Sequence, residues 1–390
     1  MTDVPVWYKQ TEIGIIPNDW TPWNLWDVSK VLYWFLFTPE YYRPGGKYKV
    51  ITIWNIWDGY FDDNDCNKTD RLPYCFKQFQ FINNWDILVS MTWACLWRVC
   101  RADKWWWVMN YRVGKMIWNE KVSNDYLYQL LRQKTFWNEM LWIWKWWAQP
   151  NISRNDILNF KIALPPTIEE QQAIATTLSD MDELISNLDK LIEKKKNIKK
   201  WAMQKLLTWK LRLPWFTWER KERELWDILV FHYWDWNVNP DNWWIYPIYW
   251  ANWIIWWYHK FNAENSIIIW HIWTAWTVMY EKRKHFVTYN WTITTIKDNQ
   301  KDDIMFMFYV LLRLDIPSIC VGSSQPFLAY DKLRSLKATI PPTKEEQQAI
   351  ASILSDMDKE IEALEQKKAK YENIKQWAMQ KLLTGKIRLV

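Results

Sequence analysis

The chain has 390 residues, with 50 Lys and Arg against 44 Asp and Glu and a formal net charge of +6. This length predicts two to four domains, and the mild positive charge is compatible with a nucleic-acid partner without requiring one. Five cysteines without a CxxC pair suit neither a zinc site nor a disulfide framework. Their odd number, with no signal-peptide pattern, predicts a cytoplasmic location. The longest apolar run, 243–258, is too short and too interrupted for a membrane span.

The first block, residues 1–164, is rich in aromatic residues and contains short β-like runs separated by turn signals. Runs at 48–53 and 86–90 have the composition of strands. A mixed α/β domain is the expected fold for this block.

The next segment, 165–213, is repeated at 341–389, a constant 176 residues further along the chain. Both copies begin with Pro-Pro-Thr-x-Glu-Glu, and the spacing of Thr167 from Glu170 and of Thr343 from Glu346 predicts a capping box. Each copy is long enough for a helix of about 40 residues, or about 60 Å.

Apolar residues within the repeats are spaced alternately four and three apart, which is typical of a coiled-coil seam. We expect the two helices to pair within one chain, in antiparallel orientation, because both copies share one chain and have a high effective concentration. Pairing with a second molecule is the alternative. The seam residues are Ile174, Leu178, Met181, Ile185 and Leu188, then Ile350, Leu354, Met357, Ile361 and Leu364.

The second block, residues 214–340, begins like the first: Leu225-Trp226-Asp227-Ile228 matches Leu25-Trp26-Asp27-Val28. It also contains β-like runs, at 267–269 and 291–296. The blocks therefore share an architecture, although their middle parts diverge.

Tryptophan is unusually common, with 37 Trp against only 7 Gly, where Gly normally makes up about 7% of residues. Trp209 in the first repeat aligns with Gly385 in the second, after a helix, where Gly is favoured because it adopts positive φ without strain. We hypothesise that most Trp stand for Gly, through a UGA codon that the source reads as Gly. Engineered replacement and a naturally Trp-rich protein are the alternatives.

The duplicated PPTxEEQQAIAxxLSDMD and QKLLTGKIRL segments, with the LxD openings of two divergent blocks, resemble the specificity subunit of type I restriction–modification enzymes. The similarity extends over essentially the whole chain. It implies an α/β mixed (α+β) fold: target recognition domains at 1–164 and 214–340, and spacer helices at 165–213 and 341–390 that form an antiparallel coiled coil.

The resemblance also implies a division of labour. Each recognition domain would read one half of a split, asymmetric sequence in double-stranded DNA, and the helices would set the gap between the halves. Two methyltransferase (modification) subunits and restriction subunits, which act as translocase and nuclease, would be the partners, without any membrane.

The sequence argues against catalysis by the chain itself. It has no GxxxxGK[ST] phosphate-binding loop and no Asn/Asp-Pro-Pro-Tyr motif, and its four His residues lack metal-ligand spacing. S-adenosylmethionine, ATP and Mg²⁺ are therefore expected on the partner subunits, and no cofactor, metal or catalytic residue is expected here.

Base recognition needs Arg or Lys for guanine and Asn or Gln for adenine. Such side chains cluster around predicted turns in both blocks. The candidates for DNA contact are Arg98, Arg101, Lys104, Asn110 and Arg112 in the first block, and His271, Lys282, Arg283, Lys284, Ser324 and Gln325 in the second.

Two other functions stay open on the sequence alone. A coiled-coil structural adaptor would need no DNA, whereas DNA binding should weaken steeply with salt because counterions are released. If the Trp are genuine, they would instead form stacking platforms for sugars or single strands. The mismatch between Trp209 and Gly385 disfavours this last interpretation.

Overall fold

The computed structural model describes residues 4–389 apart from 34, 75, 93–94, 96–97, 104–106, 139–152, 209, 218, 233–244, 251–252, 271–276, 289–290, 322–327 and 329. The chain divides into two compact units, one formed by Met1–Asn187 with Lys368–Val390 and the other by Leu188–Lys367. Each unit therefore combines one recognition block with the start of one repeat and the end of the other.

Unit 1 contains twelve strands within its described residues. They are β1 Tyr8–Thr11, β2 Gly14–Pro17, β3 Thr21–Asn24, β4 Ser29–Leu32, β5 Tyr48–Ile51, β6 Asn67–Thr69, β7 Phe81–Ile82, β8 Ile87–Ser90, β9 Val99–Arg101, β10 Trp107–Met109, β11 Val113–Trp118 and β12 Lys161–Leu164. Its short helices are Leu25–Val28, Asn124–Leu131 and Arg154–Leu158, with 3-10 turns at Pro39–Tyr41, Ile53–Asn55 and Gln78–Gln80.

These strands form two four-stranded sheets, ordered β6-β5-β10-β7 and β4-β11-β8-β9, and two ribbons, β1-β2 and β12-β3. Most pairs are antiparallel, but β10 pairs parallel with β5. In the β12-β3 ribbon Leu164 pairs with Thr21, so the repeat that follows residue 164 starts directly from this ribbon.

Unit 2 repeats the same plan with different side chains. Its described strands are β13 Lys221–Glu224, β14 Leu229–His232, β15 Tyr246–Trp250, β16 Trp253–Tyr258, β17 Ser266–Trp270, β18 Val278–Glu281, β19 Phe286–Val287, β20 Trp291–Ile296 and β21 Lys337–Ile340. Its short helices are Leu225–Ile228, Ile304–Arg313 and Tyr330–Arg334, with a 3-10 turn at Ile316–Ile319.

Much of the sheet plan of unit 2 corresponds to that of unit 1, although its sheet β16-β15-β19 has three described strands where β6-β5-β10-β7 has four. The order β14-β20-β17-β18 matches β4-β11-β8-β9, and the ribbon β13-β21 leads into the second repeat as β12-β3 leads into the first. The predicted mixed α/β fold and the shared architecture of the blocks are both confirmed.

Two helices of 39 residues each, Ile168–Leu206 and Lys344–Leu382, carry the repeats. We call them the first and second long helix. In unit 1, Asp182 bonds to Lys375, and Glu170, nearer the start of the first segment, bonds to Arg388, further along the second. The two helix segments of this unit are therefore antiparallel, as predicted.

The two helices are also antiparallel in unit 2, where the C-terminal part of the first long helix packs on the N-terminal part of the second. Lys195 pairs with Glu360 at 2.6 Å, Lys196 with Glu365 at 2.7 Å, and Lys199 with Asp358. The Lys-rich stretch 194–200 thus contributes inter-helix ion pairs, and the two more exposed ones, from Lys195 and Lys196, are each worth at most about 1 kcal/mol.

The predicted capping boxes form only in part. The Thr167 hydroxyl accepts from the Glu170 backbone N–H at 3.2 Å, and Thr343 does the same for Glu346 at 3.4 Å. The two glutamates bond instead to arginines distant in sequence: Glu170 to Arg388, and Glu346 to Arg220. A sequence window cannot show these partners, because they lie more than 100 residues away.

Each unit has one main core to which its block and both long helices contribute. In unit 1, Ile174 and Leu178 are buried with Trp20 and Tyr126 and with Met379. The corresponding core of unit 2 includes Ile350 and Leu354 together with Leu206, Phe306 and Tyr309. Burial of one Leu or Ile side chain contributes roughly 1.5–3 kcal/mol, so the helix starts are integral to each folding unit. The domain boundaries at 164, 213 and 340 stay a prediction.

Candidate nucleic-acid interface

Two of the candidate arginines of the first block are partly exposed and lie over aromatic rings. The Arg98 guanidinium is 3.9 Å from the centroid of Trp57, which in turn stacks on Tyr60 with rings 5.7 Å apart. Arg112 lies 4.4 Å from the Tyr111 ring. Such stacking holds an arginine in place while leaving donors for a nucleic acid.

Arg112 also has a left-handed backbone, with φ of 73°. Its carbonyl accepts from the Met91 N–H at 3.0 Å, which joins two turns of the block. Non-glycine residues in this conformation are uncommon and mark turns whose shape is fixed by their surroundings.

The other two described candidates of this block are engaged in internal contacts. Arg101 pairs with Asp125 at 2.7 Å and lies 4.3 Å from the Tyr128 ring, with only 14% of its side chain exposed. Asn110 is buried, and its side-chain oxygen accepts from the backbone N–H of Phe37 at 2.9 Å and of Tyr111 at 2.7 Å. The internal contacts of Arg101 and Asn110 stabilise the backbone around them, and the contact of these two residues with DNA stays a prediction.

In the second block, Lys282, Arg283 and Lys284 form an exposed run directly after β18. Arg283 is held by Glu281: its Nε donates at 3.1 Å, its Nη2 at 2.8 Å and its backbone N–H at 2.8 Å. Glu281 in turn accepts from the Tyr249 hydroxyl at 2.5 Å. The Arg283 side chain nevertheless stays 63% exposed.

The electrostatics agree with this geometry. Burial raises the pKa of Glu281, but the hydrogen bonds from Arg283 and Tyr249 outweigh it and bring the pKa down to about 2. Burial, together with the bond to Glu281, raises the pKa of Tyr249 to about 12. At neutral pH the carboxylate is therefore charged and the phenol protonated, which is the combination that fixes the Arg283 fork.

His285, which follows this run, is fully buried and bonds to the Ser266 hydroxyl at 3.1 Å. Its other ring nitrogen lies 2.7 Å from the carbonyl oxygen of Arg283, and burial lowers its pKa. A neutral imidazole here is a structural link between β17 and the segment that precedes β19.

Four of the candidate DNA contacts lie outside the described residues: Lys104, His271, Ser324 and Gln325. The seam residues fall into two classes. Ile174, Leu178, Leu188, Ile350, Leu354 and Ile361 are buried, whereas Met181, Ile185, Met357 and Leu364 are half-buried.

The sequence did not single out Asp182, which lies at the junction between block and helices in unit 1. It accepts from Arg132 of the block at 2.7 Å and from Lys375 of the second long helix at 2.5 Å. Burial raises its pKa, but the two cations outweigh burial and leave the pKa below its ordinary value. The feature of the sequence that could have indicated Asp182 is its position in the Ser-Asp-Met-Asp segment, which occurs in both repeats.

A second missed pair is Gln171 and Gln347, also at equivalent positions of the repeats. The Gln171 side chain accepts from the Ser123 backbone N–H at 2.9 Å and donates to the Lys121 carbonyl at 2.9 Å. Gln347 accepts from the Asp303 N–H at 2.8 Å. Ser123 and Asp303 are the N-caps of the blocks' helices, so each repeat fixes the helix start of its own unit.

Within the described part of the chain, no group of three or more His, Cys, Asp or Glu side chains is placed to hold a metal ion. Nor does any described helix combine the length and apolar character that crossing a membrane requires.

Comparison with known proteins decides the family. The sequence model described as "Type I restriction modification DNA specificity domain" matches residues 17–200 and again 204–373. The chain belongs to this family. Its two matches correspond to the two blocks with their following helices, so this specificity-family chain carries the domain twice.

Two relatives come from Methanocaldococcus jannaschii. The type I restriction enzyme MjaVIII specificity subunit is 26% identical over 283 residues, covering 62% of this chain and 65% of the relative, just under two thirds. The putative type I restriction enzyme MjaX specificity subunit is 28% identical over an alignment of 432 positions, covering 98% of this chain and 97% of the relative.

Solved structures show the same fold. The type I restriction–modification S subunit from M. genitalium superposes with a TM-score of 0.63 at 18% identity, covering 93% of this chain and 96% of that one. A chain from a study of complex assembly and conformational transition of the type I R-M system gives 0.59 at 15% identity, covering 95% and 99%.

Proposed function

We propose that the chain is the non-catalytic DNA-recognition subunit of a type I restriction–modification complex. It reads a bipartite, asymmetric target in double-stranded DNA, with one block for each half-site. The observation that carries the proposal is the duplication of the family's DNA specificity domain, with different side chains on the two copies. Two different readers in one chain suit two different half-sites.

The long helices support a spacer and scaffold role. Half-sites on one face of B-DNA lie about 34 Å apart per helical turn, and a packed helix pair fixes a separation better than a flexible linker. Two methyltransferase subunits would dock on this scaffold, and restriction subunits would join them. S-adenosylmethionine, ATP and Mg²⁺ would be bound by these partners, and the complex would work on DNA in the cytoplasm.

A binding experiment separates this function from that of an adaptor without DNA. The chain is purified with its methyltransferase subunits, and its affinity for duplex DNA is measured from 50 to 200 mM salt. We expect affinity to fall steeply with salt, and footprinting to give two protected segments with an unprotected gap. Absence of binding at the lowest salt would instead favour the coiled-coil adaptor.

Arg283 is the residue that we propose as a DNA contact in the second half-site. Its bonds to Glu281 use Nε and Nη2, so the Nη1 end of the exposed fork is not engaged by that carboxylate. A fixed fork of this kind can donate to guanine O6 and N7. Loss of such a contact costs about 1–3 kcal/mol, or roughly 5- to 150-fold in affinity.

The test compares three variants in the assembled complex. Arg283→Ala and Arg283→Lys should both weaken binding, since lysine keeps the charge and loses the fork. Lys282→Ala, at the exposed neighbouring position, should have a smaller effect on affinity. Wild-type affinity for Arg283→Ala at both ends of the salt range would contradict the assignment.

A further inference from the structure

The same polar junction occurs in both units, at positions that the sequence repeat makes equivalent. Asp182 and Asp358 are 176 residues apart, as are their partners Lys199 and Lys375. In unit 1, Asp182 of the first long helix bonds to Lys375 of the second. In unit 2, Asp358 of the second long helix bonds to Lys199 of the first.

Each of these aspartates has a further partner on the recognition block of its unit. Asp182 accepts from Arg132 Nη1 at 2.7 Å and from Gln129 Nε2 at 3.2 Å. Asp358 accepts from the Tyr309 hydroxyl at 2.8 Å. Both blocks supply these donors from the helix whose N-cap is tied to the repeat by Gln171 or Gln347.

The cations and the tyrosine of the junctions are largely shielded from water, which strengthens their bonds and makes an unpaired charge costly, whereas 29% of the Asp182 side chain and 41% of the Asp358 side chain are exposed. Only 9% of the Arg132 side chain and 7% of the Lys375 side chain are exposed in unit 1. Arg132 also pairs with Asp58 of the block at 3.0 Å, so the network continues into a loop between β5 and β6. Tyr309 is buried in the main core of unit 2.

From this arrangement we propose that Asp182 and Asp358 are positioning residues that fix each recognition block on its own stretch of the helix pair. On the basis of the proposed function, these junctions set how strictly the complex measures the gap between half-sites. Side chains that touch DNA would choose the bases, whereas Asp182 and Asp358 would hold the accepted gap to one length.

The chain offers a matched control. Lys196 and Glu365 form an inter-helix ion pair in unit 2 at 2.7 Å, with both side chains about half exposed. Glu365→Gln removes a helix–helix charge pair, as Asp182→Asn and Asp358→Asn do. The pair Lys196–Glu365 therefore tests helix pairing, and the aspartates test attachment of the blocks.

The experiment maps methylated sites. Wild type, Asp182→Asn, Asp358→Asn and Glu365→Gln are each expressed with the methyltransferase subunits in a bacterial host without DNA methylation, and modified adenines are located by single-molecule sequencing. We expect both aspartate variants to methylate targets whose gap differs by one base pair, at a tenth or more of the wild-type-gap level. The bases of each half-site should stay unchanged, and Glu365→Gln should keep one gap length.

Tyr309→Phe and Gln129→Ala guard against variants that fail to fold, because both keep the ion pair between the helices. Tyr309→Phe removes the bond to Asp358, and Gln129→Ala removes the bonds to Asp182 and Ser179. Like the aspartate variants, both should methylate targets whose gap differs by one base pair. A single gap length in all four junction variants, or a loss of methylation without broadening, would overturn the inference. An unsplit motif, or no motif, from the wild type would instead reject the proposed function.

Discussion

At the scale of single residues, the backbone of Trp85 bears on the excess of tryptophan. Its φ is 69°, in the left-handed region that disfavours side chains with a Cβ, and 58% of the residue is exposed. Gly385 has a φ of 68° and no room for a side chain, since a Cβ there would lie 2.5 Å from Pro17 Cδ. Trp209, aligned with Gly385, lies outside the described residues. Trp85 thus occupies a position suited to glycine.

Replacing Trp85 with Gly should raise the free energy of unfolding by about 1 kcal/mol. The change removes a left-handed strain of roughly 1–2 kcal/mol, which exceeds the loss of the ring contact with Arg101 at 5.4 Å. Chemical denaturation followed by circular dichroism measures the difference. Trp20→Gly is the control, because Trp20 is fully buried and its loss should cost about 3–5 kcal/mol. A clear loss of stability in Trp85→Gly would contradict the interpretation.

Glu281 gives a residue-scale prediction for pH. Its pKa in the folded chain is about 2, below the ordinary value of about 4.3. A lowered carboxyl pKa stabilises the fold fully above the ordinary value, and this contribution disappears as pH falls toward 2. Glu281→Gln should therefore be less stable than wild type at pH 7, and the difference should shrink between about pH 4 and 2. Acid titration of both proteins by circular dichroism tests this, and a pH-independent difference would refute it.

At the scale of elements, sequence pattern predicted most of what the backbone does. The run predicted at 291–296 is β20, and the runs at 48–53, 86–90 and 267–269 overlap β5, β8 and β17. The repeats gave two long helices because capping threonines and apolar spacing are local signals. Local signals could not reveal that Glu170 and Glu346 bond to arginines, since those contacts arise only when distant segments pack.

The candidate site was less predictable for the same reason. The run Lys282–Lys284 could be identified as a candidate from the sequence. The burial of Asn110 and the pairing of Arg101 with Asp125 could not, because they depend on long-range packing. Asp182 was overlooked because a carboxylate on a helix is usually solvated, and only the fold brings Arg132 and Lys375 to it.

Lengthening both long helices at the unit boundaries gives a prediction at the scale of elements. The unit boundaries lie at Asn187 and at Lys367, both within the long helices. Four residues added at each boundary lengthen a helix by about 6 Å, and one base pair spans about 3.4 Å. The target gap should lengthen by one or two base pairs, with the half-site bases unchanged. Site mapping checks this, and an unchanged gap would argue against a spacer role for the helices.

At the scale of the whole molecule, one plan is used twice with different recognition surfaces. Equivalent ribbons and sheets recur although the sequences of the two blocks diverge, and the aspartate junctions recur because Asp182 and Asp358 hold equivalent positions in the repeats. Such a chain offers two different recognition surfaces, which is what an asymmetric, split target requires. Neither surface needs chemistry of its own, because modification and cleavage would be carried out by the partner subunits.

The most direct test of this account is the methylation pattern of the complete wild-type complex in a host without other DNA methylation. The account predicts one motif made of two different half-sites, separated by a gap of fixed length and arbitrary sequence. Exchanging residues 214–340 for the corresponding block of another family member should change one half-site and leave the other as it was. A continuous motif, a palindromic motif, or a change of both half-sites on exchange would contradict the assignment of one block to each half.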